Sequence, residues 1–496
     1  MKKPVILIIA LGLCAASSAF GYGQTGHEIV GGIADKLVAN TPTGEKIRDL
    51  LDGITLEKAA FMPDEIKAWD KNGVDDMRAF PSYSKHSTID KQLRDYWRAN
   101  PPTQDPKSPV PSHHWFHYTD VPVLNVHKYS DGATGRTQWD IVHMIGYCVD
   151  VLRGDVSENN PRKITKPVAI ILLAHYVGDI HQPLHVGAEY FNRAGQPSDP
   201  DKNQPGIEDE GGNTLILELI RGTPEQMARH DIKLHGFWDY DAVIANLPPM
   251  APTLSKEERY QKIDQAKRQL IDRLAKEQPQ NWRAPANITL KNYGEFWADD
   301  TMPVAREAHE RLQFINIHET VDQGRDVMAG DAREKNMRDG VGYSDWSAKT
   351  VRDELHKAGW RLADLLTQAL TSTSNTAAPA AAIPPEPMPA LPTSPTPAAT
   401  LAPTSSPLAA KPGPASPFGE YPANYKEIVT AWLQANRLDP SRVEWQGDPR
   451  PAELPTTGGR RLGGYLVIFN TPDRVAGAKT RSVLIRDGAV VNNSGF

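Results

Sequence analysis

A chain of 496 residues with 39% hydrophobic content can bury one large core and a second small one. Its formal charge of −6 excludes a broad basic surface, so a polyanionic substrate would have to be met locally, by bound cations. Two cysteines exclude a disulfide framework and a cysteine-based zinc site, which leaves histidine and aspartate as candidate ligands.

Met1-Lys2-Lys3 and the apolar run 5–13, too short to span a bilayer, predict a bacterial-type secretory signal over 1–21. Ala19 and Gly21 supply the small residues that cleavage requires, so Tyr22 is expected to open the mature chain. The expected location is secreted or periplasmic. Leu11-Gly12-Leu13-Cys14 is a poor lipobox, because bulky Leu13 precedes the cysteine. Cys14 leaves with the signal, and Cys148 lies in an apolar stretch that predicts a core position. No later stretch is long and apolar enough to be transmembrane, and no obligate protein partner is evident.

His27 opens a helical pattern carried by Ile29, Val30, Ile33, Ala34 and Leu37, and a second runs through Ile47, Leu50 and Leu51. Residues 71–112, polar and rich in Pro, Lys and Asp, predict a surface excursion. The segment 112–120 returns to aromatic, buried chain. The run 168–173 is dense enough in hydrophobes for a buried helix, and 192–210 reads as a loop before the Gly211-Gly212-Asn213 turn. Helices are expected over 255–277, 295–312 and 351–370. No strand alternation stands out before residue 370, so the main domain, 22–370, is expected to be mainly α. Residues 371–418 are a Pro/Ala/Ser/Thr linker. The remainder, 419–496, reads as a small α+β domain of unknown role, with a helix over 425–436 and strands around 465–469, 482–485 and 489–491.

His175 and Asp179 stand four residues apart, one turn above each other on one helix face. Alone, this spacing is a weak signal and more often marks a hydrogen bond or ion pair on a helix surface. Recurrence changes its weight: His235 and Asp239 repeat the interval, and Pro183 breaks the helix so that His185 approaches from another direction. Asp64, His117 and His27 stand in separate upstream segments. Imidazoles and carboxylates converging from a core helix would be driven to neutral forms by desolvation, and a divalent metal is the simplest partner that satisfies them.

The motifs Gly23-x-x-Gly26-His27, Pro63-Asp64, Trp115-Phe116-His117-Tyr118, His175-x3-Gly178-Asp179-x2-Gln182-Pro183-Leu184-His185, Gly211-Gly212-Asn213, Leu234-His235-x2-Trp238-Asp239 and Ala358-Gly359-Trp360-Arg361-Leu362-Ala363 occur in this order. Through them, over about residues 22–370, the chain resembles the zinc-dependent single-strand nucleases of the S1/P1 family, which share their fold with bacterial zinc phospholipase C. The resemblance implies three Zn2+ ions per chain. Asp64, His117, His175 and Asp179 would hold one; His185, His235 and Asp239 a second. The third would take His27, Asp179 as a bridge, and the amino nitrogen and carbonyl oxygen of Tyr22. All donors are N or O, which suits zinc. It further implies hydrolysis of single-stranded DNA or RNA, or of nucleotides, to 5′-phosphate products, with 3′-nucleotidase activity as an extension. Asp64 would orient the nucleophile, and Lys67 and Asn213 would touch the phosphate. Tyr118 and Asp120 match the family's base site, although Tyr118 also reads as a plain core residue. Tyr22 stands where the family usually has Trp, Lys67 where it usually has Arg, and the segments 71–112 and 192–210 are longer than family loops. A phospholipase C acting on phospholipid headgroups, or a structural metalloprotein, are the alternatives.

Overall fold

Four of the described main-domain helices begin at a side-chain cap. The helices are α1 (Gln24–Val38), α2 (Pro42–Leu50), α3 (Ser87–Ala99), α4 (Ile141–Arg153), α5 (Lys166–Asp179), α6 (Lys256–Leu274), α7 (Tyr293–Glu310) and α8 (Tyr343–Thr371), with shorter helical turns between them. Asp140, Thr165 and Ser255 each accept a backbone N–H from the first turn of α4, α5 and α6, and Ser255 completes a capping box with Glu258. The computed structural model describes residues 22–371 save 76–79, 103–111, 127, 203, 223–225, 227–228, 230, 252 and 323–324, and then 422, 424–435, 443–445, 449–455, 461–473, 477–486 and 489–494. The chain divides into two compact units, Met1–Ser374 and Asn375–Phe496.

The first unit is mainly α and is built round α5, which is apolar on every side up to its last turn. All residues from Pro167 to Asp179 are buried, as expected of a helix with no polar face. Helices α1, α3, α4 and α8 pack against it. Each large aliphatic side chain among 168–173 is worth about 1.5–3 kcal/mol on burial, and their sum draws the polar end of the helix inward. Cys148 is buried on α4. No helix among the described residues is long and apolar enough to cross a membrane.

Two sequence expectations need correction. The segment 71–112 is not purely a surface excursion: α3 buries Ile89, Leu93 and Tyr96, one face of an otherwise polar helix. Nor is the unit without strands. The helix expected over 295–312 ends at Glu310, and the chain turns into a hairpin of β2 (Leu312–Asp322) and β3 (Arg325–Glu334). An earlier strand, β1 (Leu215–Glu218), pairs with β3 in parallel. Most of β2 faces solvent, so apolar–polar alternation, the usual strand signal, is weak there. The 192–210 loop is anchored at both ends, where Tyr190–Phe191 pairs with Ile207–Glu208.

In the second unit, helix Tyr425–Ala435 and an antiparallel sheet share a core of Tyr425, Val429, Leu433, Val467, Phe469, Val483 and Ile485. Strands Arg461–Asp473 and Gly477–Arg486 form its centre. The expected signal segment and all but the first residue of the expected linker lie outside the described residues.

Helices α1 and α8 cross where Gly359 meets Ile33, so closely that a Cβ at 359 would lie 2.5 Å from the Ile33 Cβ. Gly359→Ala should therefore lower stability by about 1–3 kcal/mol, read as a lower thermal midpoint at matched metal content. An unchanged midpoint would show that this crossing has slack.

Candidate metal centre

The last turn of α5 places His175 and Asp179 on one face, at 0% exposure. Gly178 lies beside them, and a Cβ there would come within 2.9 Å of the His27 Nδ1. The absence of that Cβ lets α1 bring His27 flat against His175, with ring centroids 3.9 Å apart and an interplanar angle of 17°. Asp64 comes from the short helix Met62–Glu65, and His117 from the 3-10 helix His113–His117. His175 Nε2 then lies 2.9 Å from His117 Nδ1, 3.0 Å from Asp179 Oδ2 and 3.6 Å from Asp64 Oδ1. His117 Nδ1 lies 3.0 Å from the same Asp179 oxygen.

A second group adjoins the first. Pro183 opens the 3-10 turn Pro183–His185 after α5, and the short helix Leu234–Gly236, continued as a π-helical turn Phe237–Asp241, supplies His235 and Asp239. His185 Nε2 and His235 Nε2 stand 3.2 Å apart, and Asp239 Oδ2 lies 3.4 Å from His235 Nε2. Asp239 Oδ1 accepts a hydrogen bond from Gln182 Nε2 at 2.9 Å. Towards the other side of Asp179, Oδ1 lies 3.2 Å from His27 Nε2. The segment just before α1 reaches the same region: Gly23 N donates to the Asp239 carbonyl at 3.0 Å, and Tyr22 is fully buried with its hydroxyl donating to the His181 carbonyl at 2.7 Å.

The chemistry of these donors fits a divalent cation. His175, His185 and His235 each donate Nδ1–H to a backbone carbonyl, of Ala60 at 2.6 Å, His117 at 2.8 Å and Gly211 at 2.7 Å. In the neutral imidazole this leaves a lone pair on each Nε2. The two lone pairs of His185 and His235 point at one another across 3.2 Å, an arrangement that a shared cation makes favourable. Both oxygens of Asp64, Asp179 Oδ1 and both ring nitrogens of His27 are buried without a hydrogen-bond partner. His27 Nε2 approaches Asp179 Oδ1 to 3.2 Å without hydrogen-bond alignment, and Lys67 Nζ forms an ion pair with Asp64 Oδ1 at 2.7 Å.

Protonation follows the same logic. Burial pushes His27 and His117 down, helped by His175 and Lys67 respectively, so both stay neutral and able to donate a lone pair. Burial would raise the Asp64 and Asp179 carboxyls, but Lys67 and His175 around the first, and His175 and His185 around the second, outweigh it and hold both below the usual range. Asp239 goes the other way: burial, with Asp179 and Asp64 nearby, pushes it well up. Its ionisation therefore needs further positive charge, which a cation between His185 and His235 would supply.

The remaining expected residues divide. Lys67 is buried against Asp64 as described. Asn213 is half-buried in the turn that presents Gly211 to His235, and its Nδ2 donates to the Glu210 carbonyl at 2.9 Å. Tyr118 and Asp120 are half-buried next to a group the sequence reading did not name. Tyr190 donates its hydroxyl to the Asp120 carbonyl at 2.8 Å and lies 3.4 Å from Glu208 Oε2. Arg325, at the start of β3, pairs with Glu210 and lies 3.7 Å from Glu208 Oε1. Burial and the nearby Glu208 push the Asp120 carboxyl well above the ordinary carboxylate range. Glu208 and Glu210 belong to the acidic run Glu208-Asp209-Glu210, and no spacing ties them or Arg325 to Tyr118.

A model of the S1/P1 nuclease family matches residues 22–371. Endonuclease 1 of Arabidopsis thaliana is 24% identical over 255 residues, which make up 49% of this chain and 61% of that relative. The chain thus spans about six-tenths of the length of the curated relative it matches. With the matched region holding every donor around Asp179, the chain belongs to the S1/P1 nuclease family.

Proposed function

We propose that this chain is an exported, zinc-dependent nuclease that hydrolyses single-stranded DNA or RNA to 5′-phosphate products, and 3′-nucleotides by the same chemistry. The observation that supports this reading best is the pair of facing lone pairs on His185 and His235 beside an Asp179 carboxylate shared with three further histidines. Asp64, His117, His175 and Asp179 would hold one zinc, His185, His235 and Asp239 a second, and His27, Asp179 and the main-chain amine and carbonyl of Tyr22 a third. Zinc held there supplies Lewis acidity towards a phosphodiester and lowers the pKa of a water to near neutrality.

The chain's own residues supply the rest. Lys67 adds a buried positive charge beside Asp64, able to neutralise a phosphate oxygen as a point charge but without the two-pronged grip of arginine. Asn213 offers a neutral amide donor from the turn that also holds His235. Asp64, with both oxygens free of hydrogen bonds, can accept a proton from the attacking group and fix its direction. Tyr118 offers a face for a nucleobase, worth ~1–3 kcal/mol per stacked base, and only an unpaired base can use it. The Asp120 carboxyl next to it, which burial biases towards its protonated form, would then present one donor and one acceptor to a base edge. The carboxyls round Tyr118 would also suit the cation of a choline headgroup, but the Arg325 guanidinium within the same group opposes a cationic ligand. Assays on single-stranded DNA, RNA and phosphatidylcholine separate the two readings, with hydrolysis of the first two expected.

Three outcomes follow from the assignment. Asp179→Asn should lose bound zinc and more than about a hundredfold in turnover, beyond the ~10–100-fold typical of losing an outer hydrogen-bond partner. Near-normal zinc content and rate in that variant would refute the shared carboxylate. Tyr118→Ala should raise KM on homopolymers roughly 5- to 150-fold, the equivalent of ~1–3 kcal/mol of stacking, with zinc content unchanged; an unaltered KM would return Tyr118 to the core. Finally, the exported chain should begin at Tyr22, and an uncleavable Gly-Ser ahead of Tyr22 should turn the amine into an amide and cost one zinc and most turnover. Equal zinc and equal activity with and without the extension would remove Tyr22 from the donor set.

A further inference from the structure

Asp64, Lys67 and Asp70 follow at intervals of three along the consecutive helical turns Met62–Glu65, Ile66–Ala68 and Trp69–Asn72, so they share one face. The 3-10 helix His113–His117 carries His114 and His117 at i and i+3, which in that geometry lie one above the other. The two elements therefore meet twice. At one level His117 Nδ1 lies 4.0 Å from Asp64 Oδ1, inside the centre already described. At the next, His113 Nε2 lies 3.1 Å from Asp70 Oδ1, and His114 Nε2 lies 2.5 Å from Asp70 Oδ2.

Consecutive residues of a 3-10 helix point about a third of a turn apart. Here both Nε2 atoms nevertheless converge on one carboxylate, with ring centroids 4.6 Å apart. One donor atom from each of Asp70, His113 and His114 lies within 4.8 Å of the others. Trp97 Nε1 donates to Asp70 Oδ1 at 2.8 Å, which orients the carboxylate as an outer partner does in a metal site. The His113 side chain is 1% exposed, His114 38% and Asp70 17%, so one ligand is anchored and the group opens to solvent on the His114 side. Two imidazoles and a carboxylate with an open side suit a divalent cation of the zinc class.

We propose that Asp70, His113 and His114 form a separate, exchangeable divalent-cation site, one helical turn away from the Asp64–His117 level. A cation there cross-links the turn that carries Asp64 and Lys67 to the turn that carries His117, so its occupancy would tune the alignment of those residues as free metal rises. The three residues are distinct from the donors around Asp179, and the proposal does not rest on the nuclease reading.

The test compares the full wild-type chain with His114→Gln, whose amide still donates to Asp70 but is a poor zinc ligand, and with Asp70→Asn. Each is dialysed until only tightly held metal remains, then equilibrated with zinc alone over free concentrations from the order of micromolar to millimolar. Wild type should take up one more equivalent than either variant, while the tightly held amount stays the same in all three. A parallel titration with Co2+ should give visible absorption bands in wild type that both variants lack. Equal uptake by wild type and His114→Gln overturns the proposal. Should a variant not fold, as judged by its thermal midpoint, the wild-type titration decides: absence of any exchangeable equivalent beyond the tight set also overturns it.

Discussion

The constraint on which this molecule depends is a carboxylate at the wrong end of a buried helix. Asp179 is the last residue of α5 before its cap, at 0% exposure. There it faces both the desolvation penalty of a buried charge and the partial negative charge of the last helical carbonyls. Its neighbours answer that cost: His117 and His175 at 3.0 Å on one oxygen, His27 at 3.2 Å and His185 at 3.9 Å on the other. Four elements converge on this point, α5, α1 and the 3-10 turns of His117 and His185, and a centre of positive charge among them relieves all of them together.

Precision in the centre comes from backbone, not from the donors themselves. The Nδ1–H groups of His175, His185 and His235 are held by the carbonyls of Ala60, His117 and Gly211. Those carbonyls belong to segments packed into the same hydrophobic core, so the direction of each lone pair is fixed by packing far from the ring. His117 links the two groups, since its ring faces Asp179 while its carbonyl orients His185. A disturbance of the 3-10 turn that carries His117 would therefore be felt in both.

The side proposed to face substrate is built differently. Tyr118 and Asp120 follow directly on the His117 turn, but their neighbours Glu208, Glu210 and Arg325 come from a loop end and from the β2–β3 hairpin. Several carboxyls and one guanidinium in a half-buried group are adjustable by single substitutions without touching the donors round Asp179. On the proposed reading, that separation would let base preference change while the donors round Asp179 are kept. The C-terminal unit has its own core, and its sequence contains no histidine.

The sequence by itself determined what local periodicity can carry. An apolar run with no polar face could only be a buried helix, the four-residue interval put His175 and Asp179 on one side of it, and Pro183 had to end it before His185. The same interval at His235 and Asp239 marked the second group. Periodicity failed where burial was one-sided and slight, as in α3 and the exposed strand β2. Which ring nitrogen faces the centre was decided only by tertiary structure, because the fixing hydrogen bonds join residues 115, 68 and 24 positions apart. The same holds for the meeting of Asp70 with His113 and His114, and of Arg325 with Glu210, which lie 43, 44 and 115 positions apart. A spacing of three or four encodes contact along one helix, whereas contacts between elements follow from how their apolar faces pack, and no short motif records that.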